Sequence, residues 1–283
     1  MQKIKSILFP TDLSNSSREL FKDVVRFADQ LEAKIEIVHI VAPELEGMDL
    51  PVMAAQATKE KVGAARIVLQ TFLDTTLESL AEELQHPADI NVDVELGTPV
   101  AAILTLAERD DIDLILMGTE GAYSKWEQFF GSVTSEVVNR AKTHILAVPV
   151  SSNIHEFTKL AFATDLEASD FHTIWEVSHW FEGLAESLDI VHLQSGKDTE
   201  KPVALADLET YLNEQGLSIP AQIHSIKGEE LTESLNKFAV DNSIDLLVMP
   251  SPHRGLLERL FHKSKTRKMA MYAEIPIFVY RKS

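Results

Sequence analysis

The sequence predicts an α/β protein built from two tandem domains, each a doubly wound, parallel, five-stranded sheet. Three observations carry the prediction: an internal duplication, short apolar runs within each copy, and helical periods between those runs. Ile7-Leu8-Phe9-Pro10-Thr11-Asp12-Leu13 returns as Leu160-Ala161-Phe162-Ala163-Thr164-Asp165-Leu166, an offset of 153. Ile37-Val38-His39-Ile40 returns as Ile190-Val191-His192-Leu193 at the same offset. Ile112-Asp113-Leu114-Ile115-Leu116-Met117 returns as Ile244-Asp245-Leu246-Leu247-Val248-Met249, at an offset of 132. Three matches in one order mark a duplicated domain. The fall from 153 to 132 places 21 extra residues in the first copy, between His39 and Ile112. Such a period is far too long for a solenoid, and 283 residues suit two domains. The polar stretch Ser151-Ser152-Asn153 sets the expected boundary, giving domains 1–152 and 153–283.

Within the first copy, Ile7–Pro10 is a short run suited to a strand buried on both faces. Ser16-Ser17-Arg18-Glu19 reads as a capping box, with the Ser16 hydroxyl accepting from an early helix N–H and Glu19 reaching back. Leu20, Val24, Phe27 and Leu31 then share one helical face. Lys34–Ile40 predicts the second strand, Val92–Leu96 the third, Leu114–Met117 the fourth and Ile145–Val150 the fifth. Leu69, Phe72, Leu73, Thr76 and Leu80 form a helical stripe in the extra residues, read as core. Val100, Ile103, Leu104 and Ala107 mark a helix after the third strand, and Val133, Val137 and Val138 one after the fourth. Alternation with short links implies parallel strands and right-handed crossovers. Such a sheet binds ligands beyond the carboxyl ends of its strands, at the topological switch point.

Composition narrows the functions. Hydrophobic residues are 45% and charged residues 25%, an ordinary globular mixture. A net charge of −18 repels phosphate backbones, which argues against nucleic-acid and anionic-membrane partners. Cysteine is absent, which excludes disulfides, thiolate metal sites and cysteine nucleophiles. The apolar run Ile7-Leu8-Phe9 is too short for a signal-peptide core, and no run approaches the ~18 residues of a membrane helix, so the cytoplasm is expected.

After the fourth strand comes Gly118-Thr119-Glu120-Gly121, then nine residues, then Gly131-Ser132-Val133-Thr134. Gly118 and Gly121 allow the backbone to approach a ligand closely. Gly131-Ser132 opens a helix whose free N–H groups and partial positive charge suit an anion. Together with Phe9-Pro10-Thr11-Asp12 and Val38-His39, this run resembles the universal stress protein family in its tandem form. The resemblance implies a flavodoxin-like strand order of 3-2-1-4-5 and an adenine nucleotide (ATP, ADP or AMP, with Mg) as ligand. It places ribose at Asp12 beside Thr11 and the base at the backbone of Val41. Ribose and phosphates fall to Met117, Gly118, Gly121, Gly131, Ser132 and Val133. It also implies that the last strands, His144–Val150 and Ile275–Tyr280, pair across a pseudo-two-fold axis, packing the copies as a pseudo-dimer; further assembly into a homodimer stays open. One departure is Glu120, at a position commonly basic in the family, which disfavours a triphosphate. Lys125, in the same loop, reads as a surface lysine.

The second copy has lost the glycines. Pro250 stands at the first glycine position, His253 at the second and Lys263 at the third, while Asp165 and Ser264 persist. Proline fixes φ and removes an N–H, so ligand is expected in the first domain only. Arg254, Arg259, Lys263, Lys265, Arg267 and Lys268 form a basic cluster, read as a solvated helix face or else an anion or partner site. His39 and His192, at equivalent positions, are read as structural. His155, His172, His179, His253 and His262 lack a close metal-ligand spacing, so no metal site is expected. Glu108, Asp110, Asp111 and Asp113 are read as a solvated helix end, and Trp126, Phe129 and Phe130 as an apolar packing patch. No nucleophile relay or kinase signature is present, so hydrolysis, if any, is slow. The expected function is a regulatory, nucleotide-binding stress-response protein with an unidentified protein partner. The alternatives are an interaction module with a vestigial site and, more remotely, an adenylating enzyme.

Overall fold

The structure, a computed structural model, describes residues 4–43, 51–109, 111–119, 132–149, 152, 154, 157–194, 201–227, 231–251 and 275–281. The chain divides into two compact units, Ile4–His144 and Ile145–Ser283.

The first unit runs β1 (Ser6–Thr11), α1 (Asn15–Leu31), β2 (Lys34–Val41), α2 (Pro51–Leu80), β3 (Ile90–Leu96), α3 (Pro99–Ala107), β4 (Leu114–Gly118) and α4 (Ser132–Arg140). Its sheet order is β3-β2-β1-β4, all parallel. Ile7, Leu8 and Phe9 are all but inaccessible, as a run covered on both faces must be. Phe9 stacks on Phe21 of α1 at 5.1 Å, and Phe21 meets Phe72 of α2 at 5.4 Å. The stripe Leu69, Phe72, Leu73, Thr76 and Leu80 is buried here, as its period predicts.

Two local expectations need correction. The N-cap of α1 is Ser14, whose hydroxyl accepts from the Ser17 N–H at 3.1 Å. Ser16 lies inside the helix, and Glu19 pairs with Lys22 at 2.8 Å. The left-handed turn at Leu13 (φ 62°) brings Ser14 to the helix start, a tertiary choice among neighbouring serines. Asp113, read as part of a solvated helix end, instead accepts from the N–H groups of Lys5 at 2.7 Å and Ser6 at 3.1 Å. Asp245 does the same for Thr158 and Lys159, both at 2.8 Å. The repeated Ile-Asp-Leu is therefore a clamp that satisfies strand-start donors of β1 and its counterpart.

The second unit runs β5 (His144–Val148), β6 (Lys159–Thr164), α5 (Ala168–Trp180), β7 (Ser187–Gln194), α6 (Lys201–Gln215), β8 (Ala221–Lys227), α7 (Leu231–Asp241), β9 (Leu246–Ser251) and β10 (Ile277–Arg281). Its strand order is β5-β10-β9-β6-β7-β8. The segment β8-β7-β6-β9-β10 is the expected 3-2-1-4-5, all parallel. β5 joins it antiparallel, with Ala147 opposite Ile277, Leu146 opposite Phe278 and Ile145 opposite Val279. The last strands of the two copies are thus hydrogen-bonded partners, which removes an edge that would otherwise template aggregation.

Tyr280 of β10 donates its hydroxyl to the Glu176 carboxylate on α5. Burial, then that carboxylate, holds the phenol well above its ordinary value of 10.0. An unfolded tyrosine ionises at the ordinary value, so the stability from this contact is complete below it and lost as pH rises toward the folded value. Denaturation titrations from about pH 8 to about pH 11 should show wild type losing stability more steeply above pH ~10 than Tyr280→Phe. Parallel curves would contradict the role given to this contact.

Candidate functional site

In the first unit the strands all run parallel, and their order in the sheet reverses between β1 and β4. Thr11, at the end of β1, is level with His39 of β2. The parallel β1–β4 register pairs Ile7 with Leu114 and Leu8 with Ile115, so the two strands end toward the same edge of the sheet. The carboxyl ends of β2, β1 and β4 therefore bring Val41, Thr11, Asp12, Met117 and Gly118 to one edge of the sheet, at the switch point.

Local hydrogen bonds fix the shape of that edge. The Leu13 N–H donates to the Thr11 hydroxyl at 3.0 Å, and His39 donates from Nδ1 to the Thr11 carbonyl at 2.8 Å. Asp12 is exposed, and its Oδ1 accepts from the Ser14 N–H at 3.0 Å and the Ser17 hydroxyl at 2.6 Å. Its carboxylate is thereby held at the positive end of α1. Val41 is buried, and its carbonyl accepts from the Gly97 N–H at 3.1 Å. Gly97 has φ 147°, a conformation L side chains rarely adopt, which explains glycine in this position.

At the β4 end of that edge, the Thr134 hydroxyl donates to the Gly118 carbonyl at 2.8 Å. That bond ties the first turn of α4 to the end of β4. It places exposed Ser132 and half-buried Val133 at a helix start beside the strand ends. Gly121 and Gly131, with Glu120, Lys125, Trp126, Phe129 and Phe130, lie outside the described residues. Sequence reasoning had no role for Ser14, Ser17 and Thr134. Hydroxyls two and five residues after an exposed aspartate, and three after a helix-opening glycine, were the available signal.

The second unit repeats the frame and alters the contents. Leu166 has φ 59°, its N–H donates to the Thr164 hydroxyl at 2.8 Å, and His192 donates from Nδ1 to the Thr164 carbonyl at 3.1 Å. These are the bonds of Leu13, Thr11 and His39 again, so both histidines orient the carbonyl that ends the first strand of their copy. Where the first copy has Ser17, the second has Asp170, which is fully buried and accepts from the Thr164 hydroxyl at 2.8 Å. Where the first has Gly118, the second has Pro250, buried within β9 and level with Tyr280. His253, Lys263, Ser264 and the basic cluster from Arg254 to Lys268 lie outside the described residues.

Other titratable groups serve packing. Asp189, nearly inaccessible on β7, is within 3.1 Å of Lys159 Nζ and 3.0 Å of His224 Nε2. His172 and His179 flank Trp175 on α5 at ring separations of 5.6 and 4.2 Å. Among the described residues no group of three or more metal-ligating side chains is placed to hold an ion. None of the described helices is long and apolar enough to cross a membrane.

Comparison with known proteins accords with this architecture. A universal stress protein of Synechocystis is 22% identical over 304 aligned residues, spanning 98% of this chain and 100% of its own. One from Methanocaldococcus jannaschii is 24% identical over 155 residues, 51% of this chain and 94% of its own. The crystal structure of a universal stress protein from Archaeoglobus fulgidus matches all of both chains with a TM-score of 0.70 at 19% identity, a likeness of fold. The family model matches twice, over residues 3–149 and 158–281, and with both copies so accounted for, the chain belongs to the universal stress protein family.

Proposed function

We propose that the chain is a cytoplasmic, regulatory stress-response protein that binds one adenine nucleotide, in residues 1–152, and none in residues 153–283. The observation that carries this reading is the meeting of Asp12, Val41 and Gly118 at three neighbouring strand ends, with Ser132 at the adjoining start of α4. In this reading the base lies against Val41 and the ribose at Thr11 and Asp12. The phosphates, with any Mg²⁺, lie over Met117, Gly118, Gly121, Gly131, Ser132 and Val133. Pro250 and Asp170 support emptiness of the second copy. A proline offers no N–H to a ligand, and Asp170 adds a buried carboxylate at the corresponding strand end.

The pairing of β5 with β10 supports an intrachain pseudo-dimer of domains 1–152 and 153–283. Extraction and identification of whatever small molecule copurifies with the full chain separates this function from an interaction module with a vestigial site. Recovered ATP, ADP or AMP supports the first. Ligand-free protein that ignores all three in titration supports the second.

A further inference from the structure

We propose that Lys61, on turns of α2 that the second copy lacks, recognises the base end of the ligand, donating to an acceptor on the edge of the heterocycle and not to the phosphates. This rests on the nucleotide reading above.

The lengths of α2 and α6 locate the extra turns. α2 has 30 residues and α6 has 15. Buried Leu80 near the end of α2 corresponds to buried Leu212 of α6 at the offset of 132. On that alignment the start of α6 at Lys201 falls at Leu69, so all the extra turns of α2 precede Leu69. Lys61 has no counterpart.

Two contacts fix where those turns run. Arg66 reaches Asp93 of β3 at 3.3 Å, and Lys61 Nζ reaches the Ala42 carbonyl, just past β2, at 3.4 Å. The helix therefore climbs, going backward from Arg66, toward the carboxyl ends of β2 and β3. The ten residues Pro51–Glu60 continue about 15 Å farther at about 1.5 Å per residue. Only the copy with the glycine run carries this wall at its ligand end.

The direction of the Ala42 carbonyl places the ammonium. Along β2, backbone polar groups alternate sides. The Lys34 N–H bonds the Lys5 carbonyl beside β1 at 2.8 Å, and the Ile35 N–H bonds the Asp89 carbonyl beside β3 at 2.9 Å. The Val41 carbonyl, at an odd position, faces Gly97 on the β3 side. Ala42 precedes Pro43, which keeps it extended. An extended Ala42 turns its carbonyl to the β1 side, the side on which Asp12 leaves the sheet, and the exposed Lys61 ammonium lies 3.4 Å from that oxygen. An ammonium presents three donors and no acceptor, so it suits a ring nitrogen or carbonyl oxygen of a base. Phosphates at the start of α4 lie two strand spacings away, roughly 10 Å.

The test is the affinity of the full chain for ATP, ADP, AMP and adenosine, with Lys61→Met, Lys61→Arg and Arg66→Met. Lys61→Met should weaken all four by the same factor, roughly tenfold, the scale of one hydrogen bond from a charged donor. Lys61→Arg should recover most of that loss, and Arg66→Met, about a turn and a half away on the same helix, should leave affinity unchanged. Unchanged affinity in Lys61→Met, a loss that grows with phosphate number, or an equal loss in Arg66→Met would each overturn the proposal. Wild-type protein that binds none of the four would instead overturn the nucleotide reading itself.

Discussion

Phe278→Asp should leave little soluble, folded protein, and Phe278→Ala should cost about 3–5 kcal/mol of stability. Phe278 lies on β10 and is 1% exposed. It is paired on one side with Leu146 of β5 and on the other with Val248 of β9. Its ring meets Phe181 at 5.7 Å and Trp180 at 6.0 Å, both edge-on. An ionised carboxylate buried there loses its hydration, so β10 would detach and expose the edges of β5 and β9 together. Light scattering and circular dichroism of the purified variants check this. A monodisperse Phe278→Asp protein with wild-type melting would contradict the part assigned to this strand.

The second large effect is expected on binding. Asp12→Ala should weaken nucleotide roughly tenfold to a hundredfold, since it removes a charged acceptor from the ribose position proposed above. It also removes the partner of the Ser14 N–H and the Ser17 hydroxyl, so a small loss of stability accompanies it. Asp12→Asn separates the two. The amide keeps an oxygen for Ser14 and Ser17 while the charge is lost, so its melting temperature should stay near wild type as affinity falls. Affinity unchanged in both variants would remove Asp12 from the site.

The features legible in the sequence were those that repeat or follow a short period. The duplicated strand ends announced Thr11 with Thr164 and His39 with His192, because each copy needs the same bonds to finish its first strand. The helical stripe from Leu69 to Leu80 was equally plain, because a helix packed on a sheet hides one face. Features set by distant partners were not legible. Asp113 looked like one more acid in an acidic stretch, since its donors at Lys5 and Ser6 are over a hundred residues away. Ser16 reads as the cap in sequence, whereas the turn at Leu13 brings Ser14 to the helix start. Lys61 carried no signal, because it lies in residues present in one copy and meets Ala42 across an unrelated stretch.

The glycine spacing marked the candidate site, yet only the folded sheet brings Val41 and Asp12 to it. Those residues belong to strands far from Gly118 in sequence and adjacent in order. The same fold gives the second copy a matching frame around Pro250 and Asp170, so the two copies differ in contents far more than in backbone design.

That difference is tested most directly by calorimetric titration of the full chain with ATP, ADP and AMP, read for stoichiometry. One nucleotide per chain is the predicted result, for whichever of the three binds. Two equivalent sites per chain would show that Pro250 and Asp170 do not close the second copy, and would contradict the assignment of the ligand to residues 1–152 alone.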